Sequence, residues 1–486
     1  MKWLLRALLV VLIASPAFGQ QTGNIVGKVT LDDGSALPGV SVQATSNVLP
    51  QPRNTVSGAN GDFRLPLLPP GKYELTFSLQ GMASVIRPAN VVLRQDTMVN
   101  ATLSIAGVTG AATVVATATL LDTESSALKA AVDEQVIKAL PVGQEYRDLV
   151  KLVPGVQYSE DSVRGPSAGG SGQDNVYSFD GVNVNLPLFG TLSADPSSHD
   201  IEQVAVVKGG ADATEFNRAA GITVNTVSRS GTNAFRGSLS YQMQPESLIA
   251  DRETTSSSVF EEDKDWAVVN FGGPILKDKV WFFLAGRYRN FEGTGQTFTT
   301  NIPYDNGNIG QRWEAKGTFT PFQNHTLTGS YMNIQQAQVN RTFRKAYDLN
   351  SVFTPHLPQE LFAANYNGVL TDKLFVEAQY SKRKFTFKDY GATTKDLYDG
   401  TAMVDYTVSG YASYNSPTFC GICSYEYRNN ENYYVKGTYF LSTEKLGSHN
   451  IVFGYDDFTG MMQSNNYQSG SNYTVYTPGV IIDANK

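Results

Sequence analysis

Residues 235–243 read FRGSLSYQM, with Phe235, Gly237, Leu239, Tyr241 and Met243 at the odd positions and Arg236, Ser238, Ser240 and Gln242 at the even ones. A period of two places alternate side chains on opposite faces of a strand, here one greasy and one wet. The pattern recurs where Trp313, Ala315, Gly317 and Phe319 alternate with Arg312, Glu314, Lys316 and Thr318. It returns where Tyr433, Val435, Gly437 and Tyr439 flank Lys436 and Thr438. Nine such ribbons are predicted, near 235–243, 265–272, 280–290, 311–320, 325–333, 361–370, 374–388, 432–441 and 449–459. Their connections alternate between long polar loops and the short turns GPILKDK, PFQN, TDK and STEKLGS. Short turns on one side and long loops on the other are the mark of an outer-membrane barrel. Loops 244–264, 334–360 and 389–431 are therefore expected outside, with Ser416 accessible there, and Asp372 in a periplasmic turn.

The first hundred residues alternate too, in shorter runs. Strands at 25–30, 40–44 and 73–79 are separated by Asp-Asp-Gly, Asn-Gly and Pro-Pro-Gly, which supply tight turns, so residues 22–105 are expected to form a small β-sandwich. Residues 106–135 are small, polar and weakly patterned and read as a linker opening into a helix. Residues 136–233 then read as an α+β domain, with a short helix near 146–152, a Gly/Ser-rich loop at 165–173 and strands at 176–179 and 204–207. Gly209, Gly210 and Gly221 punctuate its last part, where glycine permits positive φ or close backbone approach. The chain is thus mainly β, with barrel strands running through 234–486.

Composition divides the chain at the same place. Only 11 Phe, Tyr or Trp residues precede position 235, and 43 follow from there on. Charged residues make up 17%, fewer than the roughly 25% of a soluble domain, so part of the surface need not face water. A net charge of −7 without clustered Lys and Arg argues against a nucleic-acid partner. Residues 1–19, with Lys2 and Arg6 before an apolar run at 7–14 and small residues Ala17 and Gly19, read as a secretory signal. That run is too short to span a bilayer, and no later stretch approaches the roughly 20 apolar residues of a membrane helix.

Several motifs resemble known families. Leu37-Pro38-Gly39-Val40, Asn60-Gly61-Asp62-Phe63 and Leu68-Pro69-Pro70-Gly71-Lys72-Tyr73 resemble the transthyretin-like regulatory domain attached to metallocarboxypeptidases and to some outer-membrane receptors. LPVGQEYRDLVKLVPGV, NVYSFDGVNVN and IEQVAVVKGGADATEFNRAAGITVNTVSRSGT, in that order, are similar to the plug of TonB-dependent outer-membrane receptors, particularly the Oar-like group. The resemblance implies energy-coupled uptake of a ligand at a Gram-negative outer membrane, with the sandwich in the periplasm and outer-membrane lipid around the barrel. It implies partnership with TonB and its inner-membrane energy-transducing complex. It also implies a TonB box ahead of the plug, for which Thr113, Val114, Val115, Ala116 and Thr117 are the candidates. Plugged receptor barrels have 22 strands. Nine ribbons and a final VIIDANK without an aromatic strand lead to the expectation that this chain is the amino-terminal part of a longer receptor.

The remaining candidates carry alternatives. Cys420 and Cys423 lie in the longest loop among Tyr411, Tyr414, Tyr425 and Tyr427. A disulfide stiffening that loop is preferred to a redox pair or half a zinc site, because no second Cys pair, nearby His or βαβ pattern accompanies it. The tyrosines are either ligand-contacting or simply solvated. The charges Arg236, Arg312, Glu314, Lys316 and Glu377 on the wet face suit a hydrated lumen around a plug, or satisfy one another. His199-Asp200-Ile201-Glu202, with His325 lying 123 residues beyond Glu202, points to a zinc carboxypeptidase-like hydrolase. His199 abuts a plug strand and His325 starts a barrel ribbon, so this is the weaker rival, and no enzyme activity, metal or cofactor is expected. The other rival is a passive porin or surface adhesin, which needs neither plug nor coupling segment. Ligand identity, from siderophore to oligosaccharide, peptide or protein, stays open.

Overall fold

The computed structural model describes residues 21–105, 128–133, 136–137, 149–157, 165–168, 170–186, 192–194, 198–208, 220–248, 262–418, 425–443, 447–465 and 467–480. The signal segment, the TonB-box candidates Thr113, Val114, Val115, Ala116 and Thr117, the pair Cys420 and Cys423, and Gly209 and Gly210 lie outside the described residues.

Eight strands make the amino-terminal unit: β1 (Gly23–Leu31), β2 (Ser41–Thr45), β3 (Arg53–Val56), β4 (Asp62–Leu68), β5 (Gly71–Ser78), β6 (Val85–Val91), β7 (Asp96–Met98) and β8 (Ala101–Leu103). One sheet runs β4-β1-β7 with β8 also on β1, and the other runs β3-β2-β5-β6. The inward positions of each strand, including Ile25, Val42, Leu65, Leu75 and Phe77, form one buried cluster between the sheets. Phe63 meets Phe77 edge to face at 5.4 Å. The expected sandwich is present, held by ordinary apolar burial.

A second sheet follows, in the order β11-β10-β13-β12-β9, built from β9 (Leu128–Asp133), β10 (Val176–Phe179), β11 (Val182–Asn183), β12 (Ile201–Lys208) and β13 (Thr223–Ser228). Strand β9 lies within the stretch expected to be linker and helix start. Its Ala-rich sequence LKAAVD carries little strand propensity, and pairing along β12 from Asp133 opposite Gln203 to Leu128 opposite Lys208 overrides it. Of the short helix expected near 146–152, Leu149 and Val150 are helical and buried. Gly221 serves by close approach and not by positive φ, since an added Cβ would stand 2.4 Å from Asn175 Oδ1.

From β14 (Arg236–Gln244) the chain goes up and down through β15 (Glu262–Leu276), β16 (Val280–Gln296), β17 (Pro303–Phe322) and β18 (His325–Val339). After the short loop strand β19 (Lys345–Ala346) it continues through β20 (Gln359–Thr371) and β21 (Leu374–Phe387). Beyond β22 (Ala402–Asp405) and β23 (Ala412–Tyr414) come β24 (Glu426–Thr443), β25 (Gly447–Gln463) and finally β26 (Thr474–Thr477). The nine long strands form one sheet in the order β14-β15-β16-β17-β18-β20-β21-β24-β25, every neighbour antiparallel. Its two edge strands are not paired with each other. All nine predicted ribbons are strands, most of them longer than expected: β17 begins at Pro303 and not near 311. The extra residues, PYDNGNIG, are mostly polar or glycine and do not alternate, while the ladder of hydrogen bonds continues.

Burial in this wall runs opposite to that of a soluble sheet. Along β17 the polar positions Arg312, Glu314, Lys316, Thr318 and Thr320 are buried, while Trp313 is 59% exposed. Leu239, at 81%, and Phe271, Leu284, Phe319, Val435 and Phe453 also face outward. Such a band belongs against hydrocarbon, and the polar face belongs against the plug.

Candidate functional site

The wet face of the wall closes on the plug. At the tip of the hairpin between β10 and β11, Asp180 and Gly181 both take positive φ, 46° and 82°, as a two-residue Asp-Gly hairpin turn requires. Asp180 is buried and accepts from Ser228 N at 3.0 Å and from Ser228 Oγ at 2.6 Å. Lys316 of the wall pairs with Asp180 at 3.2 Å and donates to the carbonyl oxygen of Ser228 at 2.9 Å. Gln379 donates to the carbonyl of Gly181 at 2.6 Å, and a Cβ on that glycine would stand 2.4 Å from the Gln379 amide oxygen. Glycine is required there twice, by its φ and by the space.

Further along the seam, Asn430 donates to the carbonyl of Asn183 at 2.9 Å, and Gln359 to that of Ser193 at 2.7 Å. Arg383, with no exposed surface, donates to the carbonyl of Asn185 and to Gln359 Oε1, both at 2.8 Å, and reaches the Ser193 hydroxyl. Arg312 pairs with Glu314 at 2.8 Å and with Asp200 of the plug at 3.5 Å. Burial pushes the Asp200 carboxyl up from its ordinary value, and Arg312, then Arg229, oppose the shift. Among the described residues, the buried apolar cluster shared by wall and plug joins Met332, Leu361 and Ala363 of the wall to the plug core of Tyr177, Phe179, Ile201 and Val204. Most of the plug is thus held by hydrogen bonds and ion pairs whose donors and acceptors water can replace.

Of the five wet-face charges singled out in the sequence, Arg312 and Lys316 bind the plug. Glu314 pairs with Arg312, and Glu377 with Lys436 at 3.0 Å, both within the wall. Arg236 lines a cavity below the plug. Sequence reasoning missed Gln359, Gln379, Arg383 and Asn430. Gln379 and Arg383 lie on a predicted ribbon, but a lone amide or guanidinium names no partner; Gln359 and Asn430 fall in the expected loops 334–360 and 389–431, because β20 and β24 begin before the predicted ribbons do.

At one end of the wall, two long loops and the segment after β25 knit into a sheet, in the order β19-β23-β22-β26. Ala402, Val404 and Ala412 are buried in it, and Tyr347 donates to Asp405 at 2.9 Å. Aromatic rings brace its base: Phe343 stacks on Phe353 at 5.1 Å, Tyr390 meets Phe387 at 5.4 Å, and Arg428 lies over Phe387. These segments form a folded cap, and Ser416, expected to be accessible, is 1% exposed. Tyr411 and Tyr425 do face outward, as does Tyr398.

At the opposite end, the sandwich sits against the short turns. Gln323 donates to the carbonyl of Pro52, Asn60 to that of Thr443, and Ser442 to Asp62. Leu93 N donates to Gln203 of the plug at 2.6 Å, beside a small buried cluster of Leu93, Ala205 and Val227. His325 hydrogen-bonds Tyr366 at 2.7 Å, and among the described residues no group of three His, Cys, Asp or Glu is arranged to hold a metal ion.

An antiparallel wall that is greasy outside, polar inside and filled by a small mixed sheet has the architecture of a plugged outer-membrane β-barrel receptor. The comparisons narrow the class. Residues 24–104 match the carboxypeptidase regulatory-like domain family. The chain is similar to the TonB-dependent transporter Oar of Myxococcus xanthus, 31% identical over 310 residues that make up 60% of this chain and 29% of that one. Among solved structures, the siderophore receptor PirA of Acinetobacter baumannii aligns with a TM-score of 0.52 at 15% identity, covering 70% of this chain and 49% of that one. The outer membrane transporter YddB of Escherichia coli aligns with a TM-score of 0.51 at 15% identity, covering 68% of this chain and 47% of that one. These two likenesses concern the fold. The chain spans less than a third of Oar and about half of each solved receptor.

Proposed function

We propose that this chain works as a TonB-dependent outer-membrane receptor: its folded loop cap takes ligand from outside, and its plug rearranges under pull from TonB to open a path to the periplasm. The observation that carries the reading is the seam. A plug meant only to block would be welded by apolar packing, whereas this one is held largely by Lys316, Gln359, Gln379, Arg383 and Asn430 to carboxylates and main-chain carbonyls. The sandwich beside the short turns lies on the periplasmic side, and the loop sheet faces out. A passive porin or adhesin has no use for such a plug.

Residues 113–117 act as the coupling strand in this reading, joining a sheet of TonB edge to edge. That pairing uses main-chain N–H groups, and proline removes one while fixing φ. With the purified chain in detergent, the periplasmic domain of TonB is expected to bind the wild type and to bind Val115→Pro about tenfold more weakly or worse, a loss of about 1.4 kcal/mol. No binding by the wild type overturns the coupling, and equal binding by Val115→Pro moves the coupling strand elsewhere.

A further inference from the structure

A cavity of about 340 Å³ lies where sandwich, plug and wall meet. It exceeds the roughly 30 Å³ per molecule of a few trapped waters and falls in the size range of small-ligand sites. Its lining is electrically one-sided: Arg53, Lys72, Arg229, Arg236 and Lys316 against the single carboxylate of Glu202. Lys316 is committed to Asp180. Arg53 is in a different position. It is 7% exposed, and its single hydrogen bond among the described residues goes to a neutral acceptor, Asn324 Oδ1, in the turn between β17 and β18. No carboxylate lies within ion-pair distance of it among the described residues, and burial lowers its pKa to about 10. A guanidinium withdrawn from water without a counter-charge is costly, and its planar fork fits the paired oxygens of a phosphate or carboxylate.

We propose that the junction cavity is an anion site, in which Arg53 holds a small phosphate- or carboxylate-bearing ligand with the help of the cationic side chains of plug and wall. The ligand supplies the charge that the protein leaves out, and it bridges three units at once. The site stands independently of coupling to TonB.

The test is calorimetric titration of the purified chain with inorganic phosphate and, separately, with succinate, at constant ionic strength. At least one of the two is expected to bind. Arg53→Gln should weaken that binding about tenfold or more, consistent with loss of a charge-assisted pair. Lys28→Gln, an equal change of net charge at an exposed sandwich position outside the cavity lining, should leave it unchanged. Should Arg53→Gln fail to fold, Asn324→Asp gives the same answer, because it places a carboxylate against Arg53 and should also abolish binding. Failure of both anions to bind, or equal weakening by Lys28→Gln and Arg53→Gln, overturns the proposal. Neither result bears on TonB binding.

Discussion

In the sandwich, Tyr73, Leu75 and Phe77 point inward while Lys72 and Glu74 face water. In the wall, Arg312, Glu314 and Lys316 point inward while Trp313 and Phe319 face out. Both strands obey the same period of two, in opposite senses. Periodicity therefore specifies that a strand has two unlike faces, and the surroundings decide which face is the inside. For the sandwich the apolar partner is the other sheet. For the wall it is lipid, and what fills the interior is a polar plug.

The comparison breaks most easily in the sandwich. Phe77→Ala removes a ring from a sealed core and should cost about 3–5 kcal/mol, read as a lower thermal midpoint for the sandwich with the loop cap unaffected. The wall should be nearly indifferent to loss of outward bulk and sensitive to outward charge. Leu284→Arg on the lipid face should cost about 2–4 kcal/mol in vesicles, measured by denaturant unfolding, and little in detergent that lets the side chain reach water. Equal cost in both media would mean that this face does not meet hydrocarbon. The seam should respond least: Lys316→Met should cost about 1.5–3 kcal/mol, the range for a hydrogen bond to a charged group. Hydrogen exchange at the Ser228 amide should report it, because that amide bonds to Asp180 beside the lysine. Adding Asp180→Asn should restore part of the loss.

The long wall strands and the tight turns of the sandwich were legible, because each rests on a local pattern. What escaped notice lacks one. AMVD, ASY and TVYT are three or four residues long, and their sheet depends on distant segments, with β22 and β26 running parallel over a separation of 72 positions from Ala402 to Thr474. Strand β9 escaped because its alanines suit a helix as well. At the seam Arg312, Lys316, Gln379 and Arg383 lay on predicted ribbons but their choice of partner was not legible, and Gln359 and Asn430 were hidden in expected loops. Arg312 and Glu314, two apart on one face, could satisfy each other without any plug, and do so in part. That Lys316 selects Asp180 depends on how the hairpin enters the barrel.

The spacing of these contacts along the chain also sets an order of assembly. Each wall strand meets its successor through a hairpin, and the short-turned ones close early because little chain entropy is lost. Lys316 to Asp180 spans 136 residues and Asn430 to Asn183 spans 247, so each seam contact closes a far longer loop than a short-turned wall hairpin does. The plug precedes the wall in the chain, yet by loop-closure entropy its docking is expected to follow the short-turned hairpins. Until the plug docks, the charged inner face of the wall lacks its partners, so docking is the step at which misassembly is expected most often.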